Sequence, residues 1–389
     1  MKAVVFHKPK DVSVDSVDDP YIKNSSDAII KVTSTAICGS DLHILNGCFP
    51  QVKDMIMGHE CMGIVEEVGK DVKNISKGDR VVVPFPVSCG YCWFCTHGVP
   101  PACENSNPDN YGPEGGIVKE KGGGILGYTD LYGGYDGGQA EYLRIPYADV
   151  GPRKVSDEFS DEQVLFLTDI FPTGYSAIDW AGLKGGETVA VFGSGPVGLM
   201  AQKVAWLKGA GRVIAIDPNK YRLETAERTA NSETILLNDI EDKDVIEIIR
   251  DMTEGRGADV VVDAVGMEAK SNLLQKAGNI LHHAQIGNIN ALGMAISAVR
   301  RGGFVSVVGV YGTTYDNFPF GQIFDKGLTI RAGQAPVQNY IDELIRLVED
   351  RKIILEDIIS HTLPLSDAKH AYDIFLKKED NCVKVVLKP

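Results

Sequence analysis

The sequence predicts an α/β protein in which a doubly wound parallel (Rossmann) sheet is joined to a mainly β, barrel-like domain carrying a cysteine lobe. Three observations predict it. From about residue 164, continuous apolar runs alternate with helical stretches, as strands buried on both faces do when crossover helices join them. Before that point, short apolar runs are separated by glycine and charged turns, as in a small barrel or sandwich. Between a run of the first kind and a helical stretch stands GSGPVG, residues 193–198.

In chain order, AVVF (3–6), DAIIKVTSTAI (27–37), GIVEEVG (63–69) and RVVVPF (80–85) read as strands of the β domain, set off by turns such as VGKD and KGD. The buried strands of the parallel sheet are ETVAVF (187–192), RVIAID (212–217), ADVVVDAVG (258–266) and GFVSVVGVYG (303–312). LMAQKVAWLKGA, NKYRLETAERTA and DVIEIIRDMTEG are the helices between them. After about 313 the pattern becomes irregular, with one helix, VQNYIDELIRLVEDRK, and a closing strand, CVKVVLKP. The simplest organisation is a dinucleotide-binding domain at 164–312 inserted between two pieces of the β domain, 1–163 and 313–389, with the cysteine lobe at 88–104.

Composition narrows the function. The 389 residues are 44% apolar and 24% charged, ordinary globular usage for about two domains. With 39 Lys and Arg against 53 Asp and Glu, the net charge is −14, so nucleic acid and anionic membrane are not expected partners. No apolar run approaches the ~20 residues of a membrane span, and MKAVVFHKPK lacks a secretory core. A cytoplasmic location is expected.

Four of the eight cysteines, Cys89, Cys92, Cys95 and Cys103, follow the spacing C-x2-C-x2-C-x7-C. Four thiolates on a short loop close a tetrahedron around zinc with no open position, so this site is expected to be structural. GSGPVG follows a strand and opens a helix. Gly193 permits the tight turn, Gly195 lets the backbone approach a pyrophosphate, and Gly198 allows close helix–strand packing. Asp217 ends the next strand nineteen residues beyond Gly198, where a ribose hydroxyl belongs, and its carboxylate favours NAD over NADP. Arg222, five residues on, is either a partner for a 2′-phosphate or a solvated helix charge. Cys38 in ICGSDLH, His59 in GHE and Asp169 in LTDIFPTGY are more dispersed, and spacing alone does not group them. Cys, His and a carboxylate can hold a catalytic zinc with one position open. Taken singly, Cys38 reads as a small buried residue and His59 as a core histidine.

With these residues in view, the chain resembles the zinc-dependent medium-chain alcohol dehydrogenases over essentially its full length. The carriers are CGSDLH (38–43), GHECMGIVEEVG (58–69), KGDRVVVPF (77–85), the cysteine lobe, GGQAEYLRIP (137–146) and GSGPVGLMAQ (193–202). Within the family it is most similar to glutathione-independent formaldehyde dehydrogenases, through TDIFPTGY (168–175), AVGMEAK (264–270), AGQAPVQ (332–338) and a long stretch between Met267 and Arg300. The resemblance implies that Cys38, His59 and Asp169 bind a catalytic zinc beside an exchangeable Glu60, giving two zincs per chain. It implies that Ser40 and His43 relay the substrate proton. For NAD it implies contacts from Gly39, Ser40, His43, Pro196, Val197, Asp217, Arg222, Val265, Val308, Val310, Gly333 and Gln334. Lys270 stands where close relatives have Arg.

The activity implied is NAD-linked oxidation of a small alcohol, or of a hydrated aldehyde such as formaldehyde, with the reverse reduction, by a homodimer or homotetramer. One alternative is an aldehyde dismutase that keeps NAD bound. Another is a nucleotide-binding sensor without turnover. The 267–300 stretch, with His282 and His283, is too apolar for a free loop and is expected to be a lid over the cofactor or a subunit contact.

Overall fold

The computed structural model describes residues 1–49, 51, 54–107, 122–240, 244–268, 289–312, 315 and 318–389. They divide into two compact units, Met1–Pro172 with Pro336–Pro389, and Thr173–Ala335. The sequence set these divisions at 163/164 and 312/313, and two elements account for the difference. The helix Ile170–Asp179 gives its later half to the second unit, where Lys208 Nζ donates to Tyr175 Oη at 2.6 Å and to Asp179 at 3.1 Å. The strand Thr329–Ala332 extends the parallel sheet. Its sequence TIRA is short and mixed, so it carries no continuous apolar run of the kind that marks the other strands.

The first unit is built around the ten-residue strand Ala28–Ile37, which pairs antiparallel with Glu60–Val68, Tyr142–Ile145 and the closing strand Val385–Lys388. Arg80–Val83 continues that sheet beyond Glu60–Val68. Its inner face, including Ile30, Val32, Cys61, Val65, Val81, Val83, Leu126 and Leu143, forms one apolar core. A three-stranded sheet (Asp11–Ser16, Lys2–Lys8, Met55–Ile56) and the pair Pro86–Val87 with Gly124–Ile125 complete the β part.

In the second unit six strands lie in the order Glu233–Leu236, Arg212–Asp217, Thr188–Phe192, Ala258–Asp263, Val299–Val307, Thr329–Ala332, all parallel. The order reverses between Thr188–Phe192 and Ala258–Asp263, which is where ligands bind in such sheets. The inner positions of the central strands, Val189–Phe192, Val213–Ile216 and Val260–Val262, are continuously apolar and buried because helices cover both faces. Among these, Asn290–Ala298 buries Leu292, Ala295, Ile296 and Ala298 against Ile246, Ile249 and Val261. The later part of the expected lid is thus an ordinary crossover helix. The rest of that expectation, with Lys270, His282 and His283, lies outside the described residues. Among the described residues, no helix is long and apolar enough to cross a membrane.

Candidate active site

Strand register assembles the first site. Glu60 opens a strand and pairs with Ala36, while Val385 pairs with Ile37. The adjoining residues Cys38, His59 and Lys384 therefore meet at one end of three neighbouring strands. Cys38 caps the helix Gly39–Leu45, and its N–H donates to Asp41 Oδ2 at 3.0 Å. Asp169 stands between the short 3-10 turn Leu165–Thr168 and the helix that follows. One donor atom each from Cys38, His59, Glu60 and Asp169 falls within 4.8 Å of all the others. Cys38 Sγ is 3.4 Å from Asp169 Oδ2, and His59 Nε2 is 3.3 Å from the same oxygen. Residues that spacing left separate are neighbours in space.

The electrostatics of this cluster suit a cation. Burial, with Asp169 and Glu60 beside it, pushes the Cys38 thiol up to about 11. His59 is raised well above its ordinary value; burial opposes this, but Asp41 and Cys38 outweigh it. His59 Nδ1 lies 3.2 Å from Asp41 Oδ1, close enough for attraction but not aligned as a hydrogen bond. Glu60 Oε2 is buried without a hydrogen-bond partner, an arrangement that costs about 1–3 kcal/mol unless something fills it. Glu60 Oε1 accepts from Lys384 Nζ at 2.6 Å, and Lys384 also donates to the Ile37 carbonyl at 3.0 Å; both side chains are fully buried. Burial raises the Glu60 carboxyl and Lys384 opposes that rise. Against its own burial, Lys384 is held protonated chiefly by Glu60 and Cys38. A thiol, an imidazole and two carboxylates with one orphaned oxygen form a donor set that fits zinc.

Around the cluster, Ser40 Oγ is 3.1 Å from His59 Nε2. His43, one turn further along the same short helix, is buried (4% exposed) against Phe49. Phe85 and Tyr128 both meet the His59 ring edge to face, with centroids 6.2 Å apart in each case. Burial raises the Tyr128 phenol well above its ordinary value, with Tyr132, Asp41, Cys38 and Cys48 adding to the rise. Gln139 joins the support: it donates to the Ala36 carbonyl and to Asp41, and accepts from Tyr372 Oη at 2.8 Å. Sequence reasoning missed Asp41, Tyr128, Gln139, Tyr372 and Lys384 as site residues. Lys384 had a signal, a lone charge inside the apolar run CVKVVL.

The cysteine lobe is equally well formed. Cys89 Sγ lies 3.9 Å from Cys95 Sγ, and Cys92 Sγ lies 3.9 Å from Cys103 Sγ. All four sulfurs are free of disulfides and mutually within 4.8 Å. Tetrahedral zinc with Zn–S near 2.3 Å needs sulfurs about 3.8 Å apart. Burial opposes ionisation of Cys89, but donors from Tyr91, Asn105 and Cys92 bring it down to about 7.

In the second unit the glycine turn has the expected form. Gly193 has φ +93°, and a Cβ on Gly198 would sit 1.8 Å from the Gly193 carbonyl oxygen, so only glycine fits. Gly195 caps the helix Pro196–Leu207, with Pro196 in its first turn; Gly195, Pro196 and Val197 are partly exposed. Asp217 is 2% exposed and accepts from Ser194 N at 2.9 Å and Asn219 N at 2.7 Å. Arg222 Nη1 is 3.8 Å from Asp217, and its Nε is buried without a hydrogen-bond partner. Val265, Val308 and Val310 are partly buried just beyond the fourth and fifth strands, where Val308 N donates to the Asp263 carbonyl. Gly333 and Gln334 are exposed just past the edge strand.

A glycine turn at the switch point of a parallel sheet is the arrangement of dinucleotide-binding folds, and a metal-type donor cluster stands in a separate β unit. Residues 24–154 match the alcohol dehydrogenase GroES-like domain, and residues 196–286 match the zinc-binding dehydrogenase domain. A zinc-type alcohol dehydrogenase-like protein of Bacillus subtilis is 48% identical over the whole of both chains. The structure of an alcohol dehydrogenase from Thermus sp. ATN1 superposes with a TM-score of 0.84 at 34% identity, covering 100% of this chain and 99% of that one. A formaldehyde dismutase of Pseudomonas putida is 37% identical over 87% of this chain and 85% of its own, a lower identity than the Bacillus protein. The chain belongs to the zinc-dependent medium-chain alcohol dehydrogenases.

Proposed function

We propose that the protein is an NAD-linked oxidoreductase that interconverts a small alcohol, or a hydrated aldehyde such as formaldehyde, with its oxidised product. The observation that carries this is the Cys38–His59–Glu60–Asp169 cluster, with Ser40 Oγ 3.1 Å from His59 Nε2. Cys38, His59 and Asp169 would hold one zinc, with Glu60 as an exchangeable donor; Cys89, Cys92, Cys95 and Cys103 would hold a second, structural one. When bound, the catalytic zinc would supply Lewis acidity at a substrate oxygen and a nicotinamide would supply the hydride acceptor. Ser40 takes the substrate's proton and hands it to His43, three residues on along one helical face. Asp217 receives the adenosine ribose and disfavours a 2′-phosphate. The buried aromatic rings at Phe49, Phe85 and Tyr128 favour a small substrate, and the likeness to a formaldehyde dismutase favours an aldehyde. That likeness also supports a variant reaction in which NAD stays bound and cycles between two aldehydes.

The test is zinc and nucleotide content of the purified chain, followed by assays on formaldehyde, ethanol, longer alcohols and polyols with NAD or NADP. Two zincs per chain and NAD-dependent turnover of the small substrates are expected. A single zinc with no turnover would leave the sensor reading. NAD recovered in stoichiometric amount from the unfolded protein selects dismutation. Light scattering is expected to give two or four times the 42.1 kDa of one chain.

A further inference from the structure

Tyr128 is 5% exposed, yet its hydroxyl makes no hydrogen bond among the described residues. The hydroxyl oxygen is not one of the fully buried, partnerless side-chain atoms, so it keeps an open approach for a hydrogen-bond partner. Its ring is fixed on three sides. It meets His59 at 6.2 Å and 86°, Phe49 at 5.8 Å and Tyr132 at 5.3 Å. Phe85 closes another side of His59. These ring contacts set Tyr128 beside the metal-type cluster, on an otherwise aromatic wall.

Ser40 already serves one substrate oxygen in the reading above, and a primary alcohol has no second oxygen on its reacting carbon. An aldehyde hydrate has two. We infer that the Tyr128 hydroxyl donates a hydrogen bond to the second oxygen of a small aldehyde hydrate, making the protein selective for aldehyde oxidation over alcohol oxidation. This deepens the proposed function and rests on it. The balance is simple. The C–H bond of the hydrate breaks and its electron pair passes as hydride to the oxidised nicotinamide. One hydroxyl loses its proton through Ser40, a C=O bond forms, and the second hydroxyl stays on carbon, giving a carboxylic acid that ionises to the carboxylate. Tyr128 stays protonated throughout and contacts the oxygen that is not deprotonated in the hydride step.

Tyr128→Phe tests this, because it deletes the hydroxyl and keeps the ring that packs on His59, Phe49 and Tyr132. Two measurements on the zinc-loaded protein are needed: kcat/KM for formaldehyde and for ethanol, and the Kd of acetate by calorimetry with NADH present. Acetate carries the two oxygens of the product and requires no turnover. The expected result is at least a tenfold fall in the ratio of formaldehyde to ethanol kcat/KM, with acetate binding about tenfold weaker or more. An unchanged ratio together with unchanged acetate affinity would overturn the inference, as would a parallel loss on both substrates with acetate still bound normally. If the parent protein oxidises neither substrate, the proposed function fails, and the acetate titration still decides whether Tyr128 serves a second oxygen.

Discussion

Asp169 supplies negative charge to a cluster whose other donors are a thiol, an imidazole and a carboxylate already tied to Lys384. Asp169→Asn keeps the shape and removes the charge. It is expected to lower zinc content by one per chain and activity by at least about 100-fold, since even groups that only orient ligands are worth about 10–100-fold. Nucleotide binding, followed by NADH fluorescence, should persist. If both zincs and normal turnover remain, Asp169 is not a ligand. Asp217 calls for a subtler change, because its oxygens also satisfy the N–H groups of Ser194 and Asn219. Asp217→Asn keeps an acceptor and removes the charge, which at ~4 Å opposes a phosphate by about 4 kcal/mol at an effective dielectric of about 20. NADP kcat/KM is expected to rise at least about tenfold, helped by the unpartnered Nε of Arg222. Asp217→Ser should melt lower than Asp217→Asn, because it leaves buried donors unpaired. Unchanged NADP kinetics would show that the acid does not face the ribose.

The cysteine lobe is a loop with only a one-turn helix, Trp93–Thr96, and a short 3-10 turn, Pro100–Ala102. Elements this short do not hold themselves together, so under the proposed function a zinc bound by the four thiolates would supply the lobe's order. Cys89→Ser is expected to remove one zinc and lower the melting midpoint by at least about 4 °C, since each kcal/mol moves a unit of this size by about 2–4 °C. Equal melting points for mutant and parent would refute a structural role. A second joint ties the end of the chain to the first unit's sheet. Asp161 accepts from Arg80 at 2.7 Å and from Ser34 Oγ, and Lys388 reaches Ser34 at 2.7 Å and Glu162 at 2.6 Å. Burial would raise the Asp161 carboxyl, but Ser34 and Arg80 overcome it and hold the group below its ordinary 3.8. A carboxylate depressed in the folded state contributes stability that is complete above that ordinary value and lost as pH falls through the folded one. Asp161→Asn should therefore flatten the fall in melting temperature below about pH 4 while lowering stability at neutral pH. An acid limb identical to the parent's would count against this joint.

For the whole chain, a net charge of −14 predicts retention on an anion exchanger at pH 7 and none on heparin or anionic vesicles; salt-sensitive heparin binding would contradict it. Much else at this scale was legible without coordinates. The glycine turn, its acid and the cysteine lobe are local in sequence, because a phosphate cradle and a four-thiolate cage are each built from one continuous segment, and they stand in the structure as their spacing required. Continuous apolar runs announced the parallel strands for the same local reason, while TIRA, at the sheet edge, did not, because an edge strand is buried on too little of its surface to need one. Local sequence was enough for the class of fold, the glycine turn and the four-cysteine cluster. Cys38, His59, Glu60 and Asp169 were a group only through family resemblance, and Lys384, Gln139, Tyr372 and Tyr128 were not site residues at all until strand register and ring packing brought them together. Those neighbours lie up to hundreds of positions apart in the chain, as Lys384 and Glu60 do. Only the pairing of distant strands, set by which faces must be buried, decides which of them meet.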